Sequence, residues 1–261
     1  MTAHSYQSPP QRPASRVAVV TGGAAGIGRA IAGRLARDGF KVAILDVDGD
    51  AAEQAAKSIE GAGGTARGYQ ADVSDRGQVD AALAAARTDL GPLSAVVANA
   101  AIARMRPFLS MTLDEWNRTL AVNLTGTFNV VQAVLPDLVE AGWGRVVLIS
   151  SSSAQRGAPR MAHYAASKGG QLALTKALAV EFAKTGVTVN TVAPSSIDTP
   201  SVQRKRDEGT MPSAEAMAKV IPVGRMGTGD DIAAAVAYLV SDEASYVTGQ
   251  TVSVNGGSFI G

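Results

Sequence analysis

Arg16-Val17-Ala18-Val19-Val20-Thr21-Gly22-Gly23-Ala24-Ala25-Gly26-Ile27-Gly28 is the stretch that decides how this chain folds. Val17–Val20 is a continuous apolar run of strand length, and an amphipathic, helical pattern begins near Gly26. Gly22 permits a tight turn between the two. Gly26 lets a ligand approach the backbone, and Gly28 allows the helix to pack closely on the strand. Glycines also mark ordinary turns. Their place between a strand and a helix is what turns this spacing into a dinucleotide-binding pattern. The free N–H groups and the positive dipole end at Gly26-Ile27 then favour a pyrophosphate.

Outward from that stretch the alternation repeats. Short apolar runs at Val17–Val20, Val42–Leu45, Ala66–Gln70, Ala95–Ala98, Val146–Ile149, Val187–Val192 and Thr251–Val254 read as strands. The stretches at 26–38, 49–61, 75–89, 112–140, 161–184 and 228–240 read as helices. Runs nearly continuous in Val, Ile and Ala suit a parallel sheet buried on both faces. Repeated strand–helix units predict a Rossmann-type α/β fold: a doubly wound, parallel, seven-stranded sheet with helices on both faces. The 261 residues fit a single domain, taken as residues 16–261. Residues 1–15, polar with three prolines, read as a flexible N-terminal arm. The polar stretch 195–223 follows the sixth strand at the edge where such sheets bind ligands, and it reads as a lid. Within it, Ser213–Lys219 is patterned as a helix. The basic triplet Arg204, Lys205 and Arg206 reads as a solvated face rather than an anion site.

Composition removes several classes of function. With 24 basic and 23 acidic residues the net charge is +1, which lacks the basic surplus of a nucleic-acid surface. Cysteine is absent, and His4 and His163 are the only histidines, so no metal site is expected. No signal-peptide core and no apolar run of the roughly 18 residues needed to span a membrane is found, so a cytoplasmic protein without a membrane partner is expected.

Asp46 ends the second strand, eighteen residues beyond Gly28. A carboxylate there can accept hydrogen bonds from both ribose hydroxyls and would repel a 2′-phosphate. No Arg or Lys stands at Gly23, Ala24 or Ala25 to offset it, which favours NAD(H) over NADP(H). The competing reading, that Asp46 only opens the turn Val47-Asp48-Gly49, is disfavoured by the spacing.

Tyr164-Ala165-Ala166-Ser167-Lys168 puts a phenol and an ammonium four residues apart on one helical face. A free tyrosine, with a pKa of about 10, is a poor base near neutrality. A neighbouring ammonium would favour the phenolate and allow proton exchange with an alcohol as hydride moves. Upstream, Ser150-Ser151-Ser152-Ser153 leaves the fifth strand at the same edge, where a hydroxyl can steady a substrate oxygen.

With these residues in place, the chain from about Arg16 onward resembles the short-chain dehydrogenase/reductase family in its compact single-domain form. The resemblance implies that Ser151 is the catalytic serine and Tyr164 the acid/base. It implies that Lys168 binds the nicotinamide ribose and lowers the tyrosine pKa, and that Asn123, in Val122-Asn123-Leu124, supports a water-mediated proton relay. Asp72 and Val73 would contact the adenine, and Ile197 and Thr199 the nicotinamide carboxamide. Asn99-Ala100-Ala101 is similar to the family's Asn-Ala-Gly, with Ala101 in place of the glycine. Ser195 also departs from the pattern: it follows Pro194 where the family has glycine, and so removes a conformationally permissive position beside the nicotinamide. A buried Asn123 that merely satisfies neighbouring backbone groups is the competing reading.

The expected activity is therefore NAD(H)-dependent interconversion of a secondary alcohol and a ketone. The substrate class is small and apolar: a hydroxyacyl thioester, a hydroxysteroid or a small secondary alcohol. Val223-Gly224-Arg225 and the run from Thr248 to Gly257 are similar to 3-oxoacyl reductases, so an NADPH-type 3-oxoacyl-carrier-protein reductase is the alternative. A dinucleotide sensor without chemistry would have no use for Tyr164 and Lys168. The helices at 112–140 and 161–184 carry more apolar surface than one sheet face covers, and the resemblance implies that they pair in a homotetramer.

Overall fold

The computed structural model describes residues 15–260. Apart from Ser15, the expected N-terminal arm lies outside the described residues. Seven parallel strands form one sheet in the order β3-β2-β1-β4-β5-β6-β7. They are β1 (Val17–Thr21), β2 (Lys41–Asp46), β3 (Thr65–Gln70), β4 (Leu93–Ala98), β5 (Gly144–Ile149), β6 (Val187–Pro194) and β7 (Thr251–Val254). β1, β4, β5 and β6 are buried along their whole length, whereas the edge strands β3 and β7 are partly open.

The period-two alternation of β1 and β2 sends side chains to two separate cores. Ala18, Val20, Val42 and Ile44 meet Ile31 and Leu35 of α1 (Gly26–Arg37), Ala52 and Ile59 of α2 (Gly49–Gly61), and Ile232 and Val236 of α10 (Gly229–Leu239). On the other face, Val17, Val19, Ala43 and Leu45 meet Val79 and Leu83 of α3 (Arg76–Leu90), Val130 and Val134 of α5 (Gly126–Glu140), and Ala179 of α7 (Ala162–Phe182). Each fully buried aliphatic chain contributes about 1.5–3 kcal/mol, so the two apolar layers hold the sheet's carboxyl edge rigid.

The expected helix at 112–140 is divided. α4 (Leu113–Leu120) runs into a π-helical segment, Ala121–Thr125, before α5. A π turn accommodates an extra residue, and the side chain at its centre is Asn123. The stretch 195–223 holds two short helices, α8 (Pro200–Asp207) and α9 (Ala214–Val220), and α6 (Ser153–Arg156) forms one turn after β5. Strand order reverses between β1 and β4, and that crevice is where open α/β sheets bind ligands.

Candidate active site

A cleft of about 390 Å³ opens at the carboxyl ends of β1 and β4. Its wall includes Gly22, Gly26, Ile27, Asp46, Asp72, Val73, Asn99 and Thr199, eight of the expected cofactor residues. Gly22 (φ 60°) and Gly26 (φ 53°) are left-handed, a conformation open to glycine at little cost. Gly28 is not in the wall: a Cβ there would stand 2.6 Å from Asn99 Nδ2, so its role is the close packing of helix on strand. Asn99 Nδ2 donates to the carbonyls of Thr21 (2.9 Å) and Gly22 (3.1 Å), which ties β4 to the glycine turn.

The start of α1 differs from most of its neighbours. α2, α3, α4, α8, α9 and α10 each begin with a side chain that caps an N–H group, but Ala25, at the head of α1, offers none. Uncapped N–H groups beside an open cleft, with left-handed glycines around them, fit a dinucleotide pyrophosphate.

Asp46 stands at the far end of the cleft. One carboxylate oxygen accepts from Ala24 N (3.1 Å) and the other from Asp48 N (3.2 Å), so its negative charge is fixed at the cleft wall. Asp72 accepts from the Ser74 hydroxyl (2.6 Å) and amide (2.9 Å) and pairs with Arg118 (3.2 Å). Burial alone would raise its carboxyl pKa, but the Ser74 hydrogen bonds and Arg118 outweigh it and bring the pKa below the usual value. Arg118 and Arg204 also line the cleft; nothing in the sequence singled out Arg118, and Arg204 was expected only on a solvated face. Within the basic triplet the surroundings differ, Arg204 being exposed at the cleft. Arg204 faces the cleft, whereas Arg206 is ion-paired with Asp198 (2.8 Å).

The serine run separates by partner. Ser150 Oγ donates to the Lys168 carbonyl (2.9 Å), Ser151 Oγ accepts from Ser153 N (3.1 Å), and Ser151 is the serine whose hydroxyl lies close enough to the Tyr164 phenol to favour its ionised form. Burial pushes the Tyr164 phenol above its ordinary pKa, and the nearby Ser151 hydroxyl opposes that rise. Lys168 does not offset it in this conformation. Its Nζ lies 5.8 Å from the centre of the tyrosine ring and donates to Ile149 O (2.6 Å) and Gln171 Oε1 (3.2 Å). Complete burial lowers the lysine to about 7. Neither Tyr164 nor Lys168 lines the cleft wall.

Asn123 is fully buried and its side chain is committed. Oδ1 accepts from Ile102 N (2.8 Å), while Nδ2 donates to Ile102 O (3.0 Å) and Ser167 Oγ (3.0 Å). Ile197 is buried in the core, bridged to Gly227 through its backbone, so of the expected carboxamide pair only Thr199 reaches the cleft. Thr199 also caps α8.

The two departures from the family pattern are both accommodated. Among the described residues the only non-glycine positions with positive φ are Arg160 and Ser196. Ala101 therefore needs no left-handed backbone. Nor does Ser195, so the permissive position that its substitution was expected to remove is one this backbone does not use. The left-handed residue is the next one, Ser196 (φ 51°), while Ser195 is buried and donates its N–H to Val254 O (3.3 Å).

Comparison with known proteins agrees with this geometry. A family model described as enoyl-(acyl carrier protein) reductase matches residues 22–258. An acetoacetyl-CoA reductase of Shinella zoogloeoides is 43% identical over 245 residues, covering 94% of this chain and 99% of that one. A D-threitol dehydrogenase of Mycolicibacterium smegmatis is 38% identical, covering 93% and 92% of the two chains. A solved structure of an actinorhodin polyketide ketoreductase variant with NADPH superposes with a TM-score of 0.90 at 34% identity, covering 94% of this chain and 97% of that chain. The chain belongs to the short-chain dehydrogenase/reductase family. It is an oxidoreductase of CH–OH and keto groups, in a family that works with a nicotinamide dinucleotide.

Proposed function

We propose that this chain interconverts a secondary alcohol and a ketone with NAD(H), using Tyr164 as acid/base. The reading is carried by Tyr164 beside Ser151 at the carboxyl edge of the sheet, with Asp46 in the dinucleotide cleft of the same edge. When bound, the dinucleotide supplies the hydride acceptor or donor. Gly22, Gly26 and Ile27 would hold its pyrophosphate, Asp46 its adenine ribose, and Asp72 and Val73 its adenine. Asn99 and Thr199 would flank the nicotinamide half, with Ile197 contributing backbone alone.

Burial keeps the Tyr164 phenol protonated in the cofactor-free chain, the form that gives a proton to an alkoxide. In the oxidative direction the phenol must release that proton, which positive charge close by favours. Lys168 on the same helix face is the group to provide it, along with the nicotinamide ribose contact. Ser151 steadies the substrate oxygen. Asn123 takes part by gripping Ile102 and Ser167, which ties the loop after β4 to the helix of Tyr164.

The substrate is an apolar alcohol or ketone. Supporting this, the loop after β4 leaves Phe108 69% and Leu109 100% exposed, while Met211 and Met217 sit half-buried on the lid. A second reading, an NADPH-type 3-oxoacyl reductase, draws on the acetoacetyl-CoA reductase relative and on Arg118 and Arg204 in the cleft wall. The Asp46 carboxylate weighs against it. Tyr164→Phe decides between an enzyme and a dinucleotide sensor. Turnover in NAD+-coupled oxidation of a panel of secondary alcohols, hydroxyacyl thioesters and hydroxysteroids should fall roughly 10²–10⁴-fold, with NADH binding close to unchanged. Retained turnover would remove the acid/base role.

A further inference from the structure

Among the described residues Lys168 is buried with no carboxylate partner, and what holds it is the Ile149 carbonyl and an amide. Gln171, also fully buried, sits three residues on along α7, on the same face. Its Nε2 donates to the Asn123 carbonyl (2.9 Å) and to Thr127 Oγ1 (2.7 Å). Thr127 Oγ1 spends its own proton on the same carbonyl (2.8 Å), so it can only accept from Gln171. Both amide hydrogens are thereby used, and Oε1 must face the Lys168 amine, at 3.2 Å. A flipped amide would set donors against donors. Below the pair, Thr175 Oγ1 donates to Gln171 O (2.9 Å) and meets Thr191 Oγ1 of β6 at 2.5 Å. The Asn123 carbonyl thus has side-chain donors on both lone pairs.

We propose that Gln171 is a positioning residue: its amide holds the Lys168 amine against β5 and sets the pH at which that lysine, the partner of Tyr164, gives up its proton. The proposal rests on the acid/base reading of Tyr164. An amide oxygen favours the ammonium through a hydrogen bond but carries no charge, so it supports the charged lysine only in part. Among the described residues no charged group pairs with Lys168. On α7 the titratable neighbours are Tyr164 and the buried His163; β5 presents the Ile149 carbonyl and Ser150, and the π segment and α5 present Asn123 and Thr127. Burial, with no coulombic partner, lowers the lysine. An amide also cannot readily pass a proton from one end to the other, so this contact is a prop and not a relay.

The test uses two variants that push in opposite directions, Gln171→Leu and Gln171→Glu. Leucine removes the acceptor and glutamate makes it negative. The first readout is urea unfolding of the cofactor-free protein across pH 6 to 10. The midpoint of the lysine-linked change in stability should move down in Gln171→Leu and up in Gln171→Glu, by about one pH unit each. The second readout is the lower apparent pKa of kcat in NAD+-coupled oxidation, which should move in the same two directions. Unmoved midpoints, or shifts of both variants in one direction, would overturn the proposal. Should Gln171→Leu fail to fold, the upward shift in Gln171→Glu is decisive alone. Tyr164→Phe is assayed beside them: if it retains turnover, the acid/base reading fails, whereas its inactivity together with unmoved Gln171 variants rejects only the role of Gln171.

Discussion

Replacing Gly28 by alanine tests how the glycine turn is built. The new Cβ would stand 2.6 Å from Asn99 Nδ2 and closer still to the Gly22 carbonyl oxygen. The carbonyl is backbone, and the Asn99 amide is anchored on Thr21 and Gly22, so neither can swing aside. Either α1 lifts from β1 or the turn opens. Overpacking of this kind costs about 1–3 kcal/mol, and each buried hydrogen bond lost adds about 1 kcal/mol. A total of roughly 2–4 kcal/mol lowers Tm by about 5–15 °C in a domain of this size. Because the displaced turn also lines the cleft, NADH affinity should fall at least about tenfold, equivalent to about 1.4 kcal/mol. Gly33→Ala, one turn further along α1, is the control. Its Cβ meets only the tip of Arg37, at 3.8 Å, so it should gain about 0.5–1 kcal/mol from helix propensity. Calorimetry and NADH fluorescence titration read both variants. A Gly28→Ala protein with wild-type Tm and NADH affinity would refute the packing reasoning.

Wild-type enzyme should use NAD(H) at least about tenfold better than NADP(H), and Asp46→Ala should narrow that gap; equal use of both cofactors by the wild type would end the Asp46 reading. Lys168 has a folded-state pKa of about 7 against an ordinary 10.5, so the unfolded chain holds the proton more tightly between those values. Its contribution to stability therefore rises with pH across that window, with a slope of up to about 1.4 kcal/mol per pH unit, and it is at its most unfavourable below pH 7. Lys168→Met should flatten that rise in urea unfolding of the cofactor-free protein, and identical slopes would contradict the buried-amine account. A homotetramer built on α5 and α7 is expected, because Phe128 is 46% exposed in a surface groove with Leu124, Leu174 and Ala177, and Val180 of α7 is 82% exposed. Light scattering should show Phe128→Asp dissociating into smaller species, and a monomeric wild type would count against the interface.

The periodicity of the chain was sufficient for the architecture. All seven expected strands are present. The four buried along their whole length are apolar at most positions, a pattern visible without a partner, whereas the partly open edge strands β3 and β7 were placed by the repeating strand–helix alternation. Gly22, Gly26 and Asp46 were equally legible, since their work depends on backbone freedom or charge at a fixed distance along one strand–turn–helix unit. The Tyr164–Lys168 spacing was legible as two residues on one helical face. Where the amine would point was not.

That direction depends on groups far away in the chain. Lys168 is drawn to Ile149 and Gln171, and Gln171 is oriented by Asn123 and Thr127, more than forty residues earlier. No local pattern encodes such a match, although a glutamine three residues after a helical lysine was a signal that could have been noticed. The π segment around Asn123 and the left-handed backbone at Ser196, one residue past the suspected Ser195, are settled in the same way. So is the division of Arg204 from Arg206. Short-range patterns specify elements and their apolar faces; which buried polar atom meets which is decided by packing, where an unpaired donor costs about 1–3 kcal/mol and each group must take the partner that the fold brings within reach.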